Sequence, residues 1–244
     1  MRRTSPDPHG GVRALIFDVD GTLADTERDG HLAACNAAFA ELGFPIRWSW
    51  EEYRDLLRIP GNQNRMRLAL EGLGTLSRAE VDGAAEQLFR IKQLRYVELV
   101  PGLRLRPGVT RLVGEAAERS VRLAIVSTSS EPQIRALLHH LLPGHERAFE
   151  PLLGQQSGPK VGAEGRLYER CLEELGLPRE TVVVIEDAED GFRAASRAGL
   201  ACVVVPNEYT AGDFSGAALV VPSLEHVTLD DLDAALAVGD SRSA

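Results

Sequence analysis

The sequence is poor in cysteine: three residues, Cys35, Cys171 and Cys202, lie far apart and show no metal-ligand spacing. Any disulfide scheme leaves one of them unpaired. This argues against a disulfide framework and a zinc cluster, and points to buried thiols in a reducing, cytoplasmic setting. Long apolar runs are missing too, so no bilayer-spanning helix and no membrane partner are expected. The opening "MRRTSPDPHGG" has basic residues but not the apolar stretch of a secretory signal; it reads as a frayed leader, and "GDSRSA" as a similar tail. There is no dense stripe of Lys and Arg, and the formal net charge is -9. Such a chain is a poor partner for nucleic acid or an anionic surface, and an anionic substrate must be drawn in by a local site. No internal repeat or low-complexity tract stands out.

What is present is an ordinary globular composition, 44% hydrophobic and 26% charged, in 244 residues. That length suits one large domain, or a core plus a smaller one. Four short runs read as strands: "ALIFD" (14–18), "RLAIVST" (122–128), "TVVVIED" (181–187) and "ACVVVP" (201–206). They are rich in Val and Ile and do not alternate with polar residues, as parallel strands covered on both faces would not. A fifth is placed near 148–154. Helical patterns fall between them at 108–120, 131–142, 165–176 and 190–200. Strands alternating with helices predict an α/β fold, a Rossmann-like doubly wound parallel sheet.

The stretch after the first strand differs, because 26–98 contains no convincing strand. Leu32, Cys35, Phe39 and Leu42 share one helical face. Ser49 with Glu52, and Ser77 with Glu80, have the capping-box spacing, the second opening a long helix over 77–99. So much helix exceeds a simple crossover. It predicts an inserted α-helical cap domain over 26–104, with 1–25 plus 105–244 forming the core. A monomer is the default for a chain built this way.

In open α/β sheets, ligands bind beyond the C-terminal strand ends. Here those ends carry Asp18 and Asp20, then Ser127 and Thr128, then Glu186 and Asp187. Carboxylates this close resist joint ionisation unless a cation joins them. A hard ion such as Mg²⁺ suits a few carboxylates plus a phosphate. Hydroxyl and backbone donors near Ser127 and a nearby Lys would complete a metal-assisted phosphoryl-transfer site.

At these residues the chain resembles a known family. "FDVDGTLADT" resembles the first motif of the haloacid dehalogenase-type phosphatases, the strand ending at Thr128 the second, and "VVVIEDAEDG" the fourth. The framework is similar to the subgroup containing β-phosphoglucomutase. "DTERDGH" (25–31), "YRDLLRIPG" (53–61) with Arg65, and "PNEYTAGDFSGAALVVPSL" (206–224) resemble the CbbY-type proteins, a group associated with hydrolysing xylulose-1,5-bisphosphate. The resemblance implies Asp18 as nucleophile through an aspartyl-phosphate and Asp20 as general acid and base. It further implies Mg²⁺ held by Asp18, Asp187 and the Asp20 carbonyl with Glu186 in support, and a small sugar phosphate bound by Ser127, Thr128, Asp25 and Arg65.

Two departures stand beside it. Counting back from Tyr168, the third-motif lysine position holds Gly162, and Lys160 lies two residues upstream; Lys160 is assigned that role. In the cap, "GNQNR" (61–65) replaces the commoner "GGKER", so Gln63 and Asn64 stand where Lys and Glu are expected. A phosphosugar mutase using the same core, and a non-catalytic sugar-phosphate binding protein, are the alternatives.

Overall fold

The computed structural model describes residues 11–240. The proposed leader and tail fall largely on 1–10 and 241–244, outside the described residues. The chain divides into two compact units, one made of the residues up to Ala24 together with those from Leu105, the other running Asp25–Arg104.

The first unit is a mixed α/β fold around a six-stranded, all-parallel sheet. Its strands are β1 (Ala14–Phe17), β2 (Arg122–Val126), β3 (Phe149–Leu153), β4 (Val182–Glu186), β5 (Ala201–Val204) and β6 (Leu219–Val220). They lie in the order β3-β2-β1-β4-β5-β6. The register sets Phe17 beside Ile125 on one side and Ile185 on the other. Every residue of β1 and β4 is buried. Ala14 and Ile16, with Ala124, Val126, Val182, Val184, Cys202 and Val204, pack on helices Leu167–Leu175 and Glu189–Arg197. Leu15, Phe17, Leu123 and Ile125 fill the opposite face. Burial on both faces is why these strands read as continuous apolar runs. The chain moves outward from β1 to β3, then returns to the other side of β1 as β4. The strand order therefore reverses at β1/β4, a topological switch point where α/β sheets open a crevice for ligands.

The second unit is helical. A π-helical turn (Glu27–Leu32) runs into Ala33–Glu41, followed by Trp50–Leu56, Asn62–Gly72 and the 22-residue Arg78–Leu99. Both predicted capping boxes form, Ser49 with Glu52 and Ser77 with Glu80, each side chain bonding the other's backbone N–H. Leu32, Cys35 and Phe39 pack with Tyr53, Met66, Leu70 and Leu88, and Leu42, Trp48 and Trp50 lean on that cluster. The chain's two lysines are both buried, Lys92 in this unit and Lys160 in the first. Lys92 Nζ lies 2.7 Å from His31 Nδ1, and His31 stacks on Tyr96.

Candidate active site

The switch point gathers the acidic strand ends. Asp18 follows β1, and its backbone N–H donates 3.0 Å to the Ile185 carbonyl, continuing the ladder into the site. Glu186 ends β4 and Asp187 follows it. Asp18, Glu186 and Asp187 are buried, with carboxylate oxygens within 4.8 Å of one another.

Lys160 joins them. Its ammonium is 2.5 Å from Asp18 Oδ1 and 2.6 Å from Glu186 Oε1, and the residue is 5% exposed. The loop delivers it despite the two-residue offset. Between Lys160 and the following helix the chain turns back on itself: Arg166 N donates to the Pro159 carbonyl at 3.1 Å, and Gly165 passes the Lys160 carbonyl so closely that a Cβ there would sit 2.3 Å from its oxygen. The extra residues are absorbed in that fold, and the Lys160 ammonium lies over the Tyr168 ring, 5.6 Å from its centroid.

Four side chains that the sequence did not single out for the site orient its acids. Thr22 Oγ1 donates to Asp187 Oδ1 at 2.9 Å, and Asn207 Nδ2 to Asp187 Oδ2 at 2.8 Å. Asn207 Oδ1 accepts from the backbone N–H groups of Tyr209 and Thr210, which fixes the side-chain amide with its nitrogen toward Asp187. The buried Tyr168 hydroxyl donates to Glu186 Oε1, and Ser129 Oγ donates 2.5 Å to Asp20 Oδ2. Gly21 has φ +89°, and a Cβ there would come within 2.4 Å of Asp187 Oδ2, so the turn after Asp20 has room only for hydrogen.

The electrostatics are unbalanced. Burial pushes Asp18 up to about 7, against the pull of Lys160 and with help from Glu186 and Asp20. Burial likewise raises Asp187 well above the usual carboxylate range, and the charges of Asp18 and Glu186 push it further. Burial works against the charged form of Lys160, but the adjacent Asp18 and Glu186 hold its ammonium above the ordinary lysine range. One ammonium thus faces three buried carboxylates, and a second cation would relieve the strain on Asp18 and Asp187. Hard carboxylate oxygens this close are a donor set that fits Mg²⁺.

The remaining predicted residues divide by unit. Ser127 is buried, and its Oγ accepts from Ser129 N at 3.0 Å; Thr128 is exposed beside it. Asp25 is exposed and opens the second unit. Arg65, also of the second unit, is only 7% exposed. Its Nε donates to the carbonyls of Leu56 and Ile59, and its NH1 to Tyr53 Oη and Asn62 Oδ1. The guanidinium, assigned to substrate from the sequence, is hydrogen-bonded to the chain's own 53–62 segment.

Comparison with known proteins agrees with this geometry. Residues 12–199 match the family described as haloacid dehalogenase-like hydrolase. Protein CbbY of Rhodobacter capsulatus is 38% identical over 218 residues, 87% of this chain and 94% of that protein. A plasmid-borne CbbY of Cupriavidus necator is 39% identical over 223 residues, 87% of this chain and 86% of that one. Crystal structures of CbbY from Rhodobacter sphaeroides, one with phosphate and one of a mutant with xylulose-1,5-bisphosphate, superpose with TM-score 0.77 at 34% identity, covering 91% of this chain and 99% of theirs. A β-phosphoglucomutase from Clostridium difficile, 21% identical with TM-score 0.72, shares the fold. The chain belongs to the haloacid dehalogenase-like hydrolases, and is an enzyme of the phosphatase type close to CbbY.

Proposed function

We propose that the protein is a phosphatase that releases inorganic phosphate from a small sugar bisphosphate, with xylulose-1,5-bisphosphate as the substrate to test first. The observation that carries this is the contact of Lys160 with both Asp18 and Glu186 beside Asp187 at the switch point. It supplies a nucleophile, an ammonium and a cation-seeking acidic cluster in one place. The substrate class rests on the CbbY relatives.

In this reading Asp18 Oδ attacks phosphorus, the ester P–O bond breaks, and the departing sugar oxygen takes a proton from Asp20. Asp18 then carries the phosphoryl group. Water attacks that phosphorus and gives its proton to Asp20, and the Asp18–phosphorus bond breaks to return the carboxylate and free phosphate. Lys160 balances charge on the transferring group, and Ser127 donates to its oxygens. Asp18, Asp187 and the Asp20 carbonyl, with Glu186 in support, would hold Mg²⁺, which supplies Lewis-acid stabilisation when bound. Thr128, Asp25 and Arg65 are carried as substrate-side residues on the family resemblance alone. We place the enzyme in the cytoplasm as a monomer, on the scattered reduced thiols and the self-contained fold.

Phosphate release from a sugar-phosphate panel with Mg²⁺, including xylulose-1,5-bisphosphate, tests the proposal. Preferred hydrolysis of a bisphosphate supports it. Isomer interconversion without net phosphate release identifies a mutase, and tight binding without turnover identifies a non-catalytic binding protein.

A further inference from the structure

Ser129 lies just past the end of β2 and is held on three sides. Its N–H donates 3.0 Å to Ser127 Oγ, and its carbonyl accepts from Gln155 N at 2.9 Å. Its hydroxyl donates 2.5 Å to Asp20 Oδ2. Ser127 and Gln155 follow the ends of β2 and β3, so Ser129 is a backbone-anchored strut running from two strand ends to one carboxylate. Asp20 itself sits in the tight turn closed by Leu23 N and Ala24 N donating to the Val19 carbonyl. That turn sets where its Cα lies, and the Ser129 hydroxyl bonds directly to the carboxylate whose rotation the proton transfer depends on.

We propose that Ser129 is a positioning residue that holds the rotation of the Asp20 carboxylate for proton transfer. This rests on the reading of Asp20 as general acid and base. Ser129 acts through Asp20 and has no proton-transfer role of its own. A proton donor must lie within hydrogen-bond reach of the departing oxygen, and a misplacement of about 1 Å costs on the order of 100-fold. Loss of the strut therefore matters most where the leaving group most needs a proton. p-Nitrophenolate leaves readily without one; phenolate and alkoxides leave poorly.

The experiment is a leaving-group series of substituted phenyl phosphates, from p-nitrophenyl to phenyl, with Mg²⁺. It is read as kcat/KM, which reports steps up to the first irreversible one. Wild type is expected to show a shallow dependence on leaving-group basicity. In Ser129→Ala, kcat/KM for phenyl phosphate falls about tenfold to a hundredfold more than for p-nitrophenyl phosphate. Asp20→Asn shows the same selectivity, more strongly. Ser129→Thr, which keeps the hydroxyl, restores the shallow slope. A slope in Ser129→Ala equal to wild type, or an equal loss on every ester with raised KM, overturns the proposal and makes Ser129 a structural residue or a phosphate contact. An unchanged slope in Asp20→Asn refutes the role of Asp20 instead, so the two failures are told apart. A wild-type protein that turns over neither these esters nor any sugar phosphate with Mg²⁺ refutes both.

Discussion

Replacing Lys160 with Met keeps the length and apolar stem of the side chain and deletes only the charge. In the folded protein that charge is nearly inaccessible to solvent and lies within 2.6 Å of two carboxylates that are themselves 9% and 1% exposed. Removing one partner of a buried pair leaves uncompensated charge and costs about 3–5 kcal/mol. At ~2–4 °C per kcal/mol for a unit of this size, the metal-free variant should melt about 6–20 °C lower. The assay is urea and thermal unfolding followed by far-UV circular dichroism, with and without Mg²⁺. The variant site lacks a competing cation and should bind Mg²⁺ more tightly, so added metal narrows the gap with wild type by about 1.4 kcal/mol for each tenfold gain in affinity. Turnover should fall about 10²–10³-fold through loss of charge stabilisation in the transition state. A metal-free variant within about 1 kcal/mol of wild type would refute the claim that Lys160 neutralises this cluster.

Other outcomes follow from the same geometry. Asp18→Asn should abolish phosphate release while the circular dichroism spectrum is retained; an active variant removes Asp18 as nucleophile. EDTA should stop turnover, and Asn207→Ala should raise the Mg²⁺ dissociation constant about 10–100-fold in direct titration calorimetry; unchanged metal affinity would deny Asn207 a role in orienting Asp187. Gly21→Ala should cost about 1–2 kcal/mol of backbone strain plus roughly 100-fold in turnover, because its Cβ meets Asp187. Gly176→Ala, at φ +60° with nothing within 4 Å, should cost only the strain. Equal activity losses in the two glycine variants would refute the contact argument. The three cysteines are buried, and burial pushes Cys35 and Cys171 up to about 12, so the folded protein should resist Ellman's reagent and yield three thiols on unfolding.

The parallel core was legible because its central strands are covered on both faces, which prints them as unbroken Val/Ile runs. β6 was not, because two edge residues carry no such pattern. Helix Asn62–Gly72 also went unread: its N-cap is Gly61, with no side chain to cap it, and its first turn is the polar Asn62-Gln63-Asn64. The insertion between strands showed through its two capping boxes and its apolar spacing. At the site, Asp18, Glu186 and Asp187 were readable as acids ending apolar runs. Lys160 needed the resemblance, since a lone lysine in a glycine-rich loop has no local signature. Thr22, Ser129, Tyr168 and Asn207 were beyond local reading. Their partners lie 165, 109, 18 and 20 positions away, and only the assembled sheet brings them together. The bonds of Arg65 to the carbonyls of Leu56 and Ile59 were equally hidden, since the sequence does not display backbone acceptors.

Both tryptophans, Trp48 and Trp50, stand in the helical unit, Trp48 edge-on to Phe39 at 4.9 Å between ring centroids. The sheet unit has Tyr168 and Tyr209 but no indole. Intrinsic emission excited at the indole band therefore watches one unit and is blind to the other. A titration that follows emission beside ellipticity will separate the melting of the insert from that of the sheet, with no label added to either.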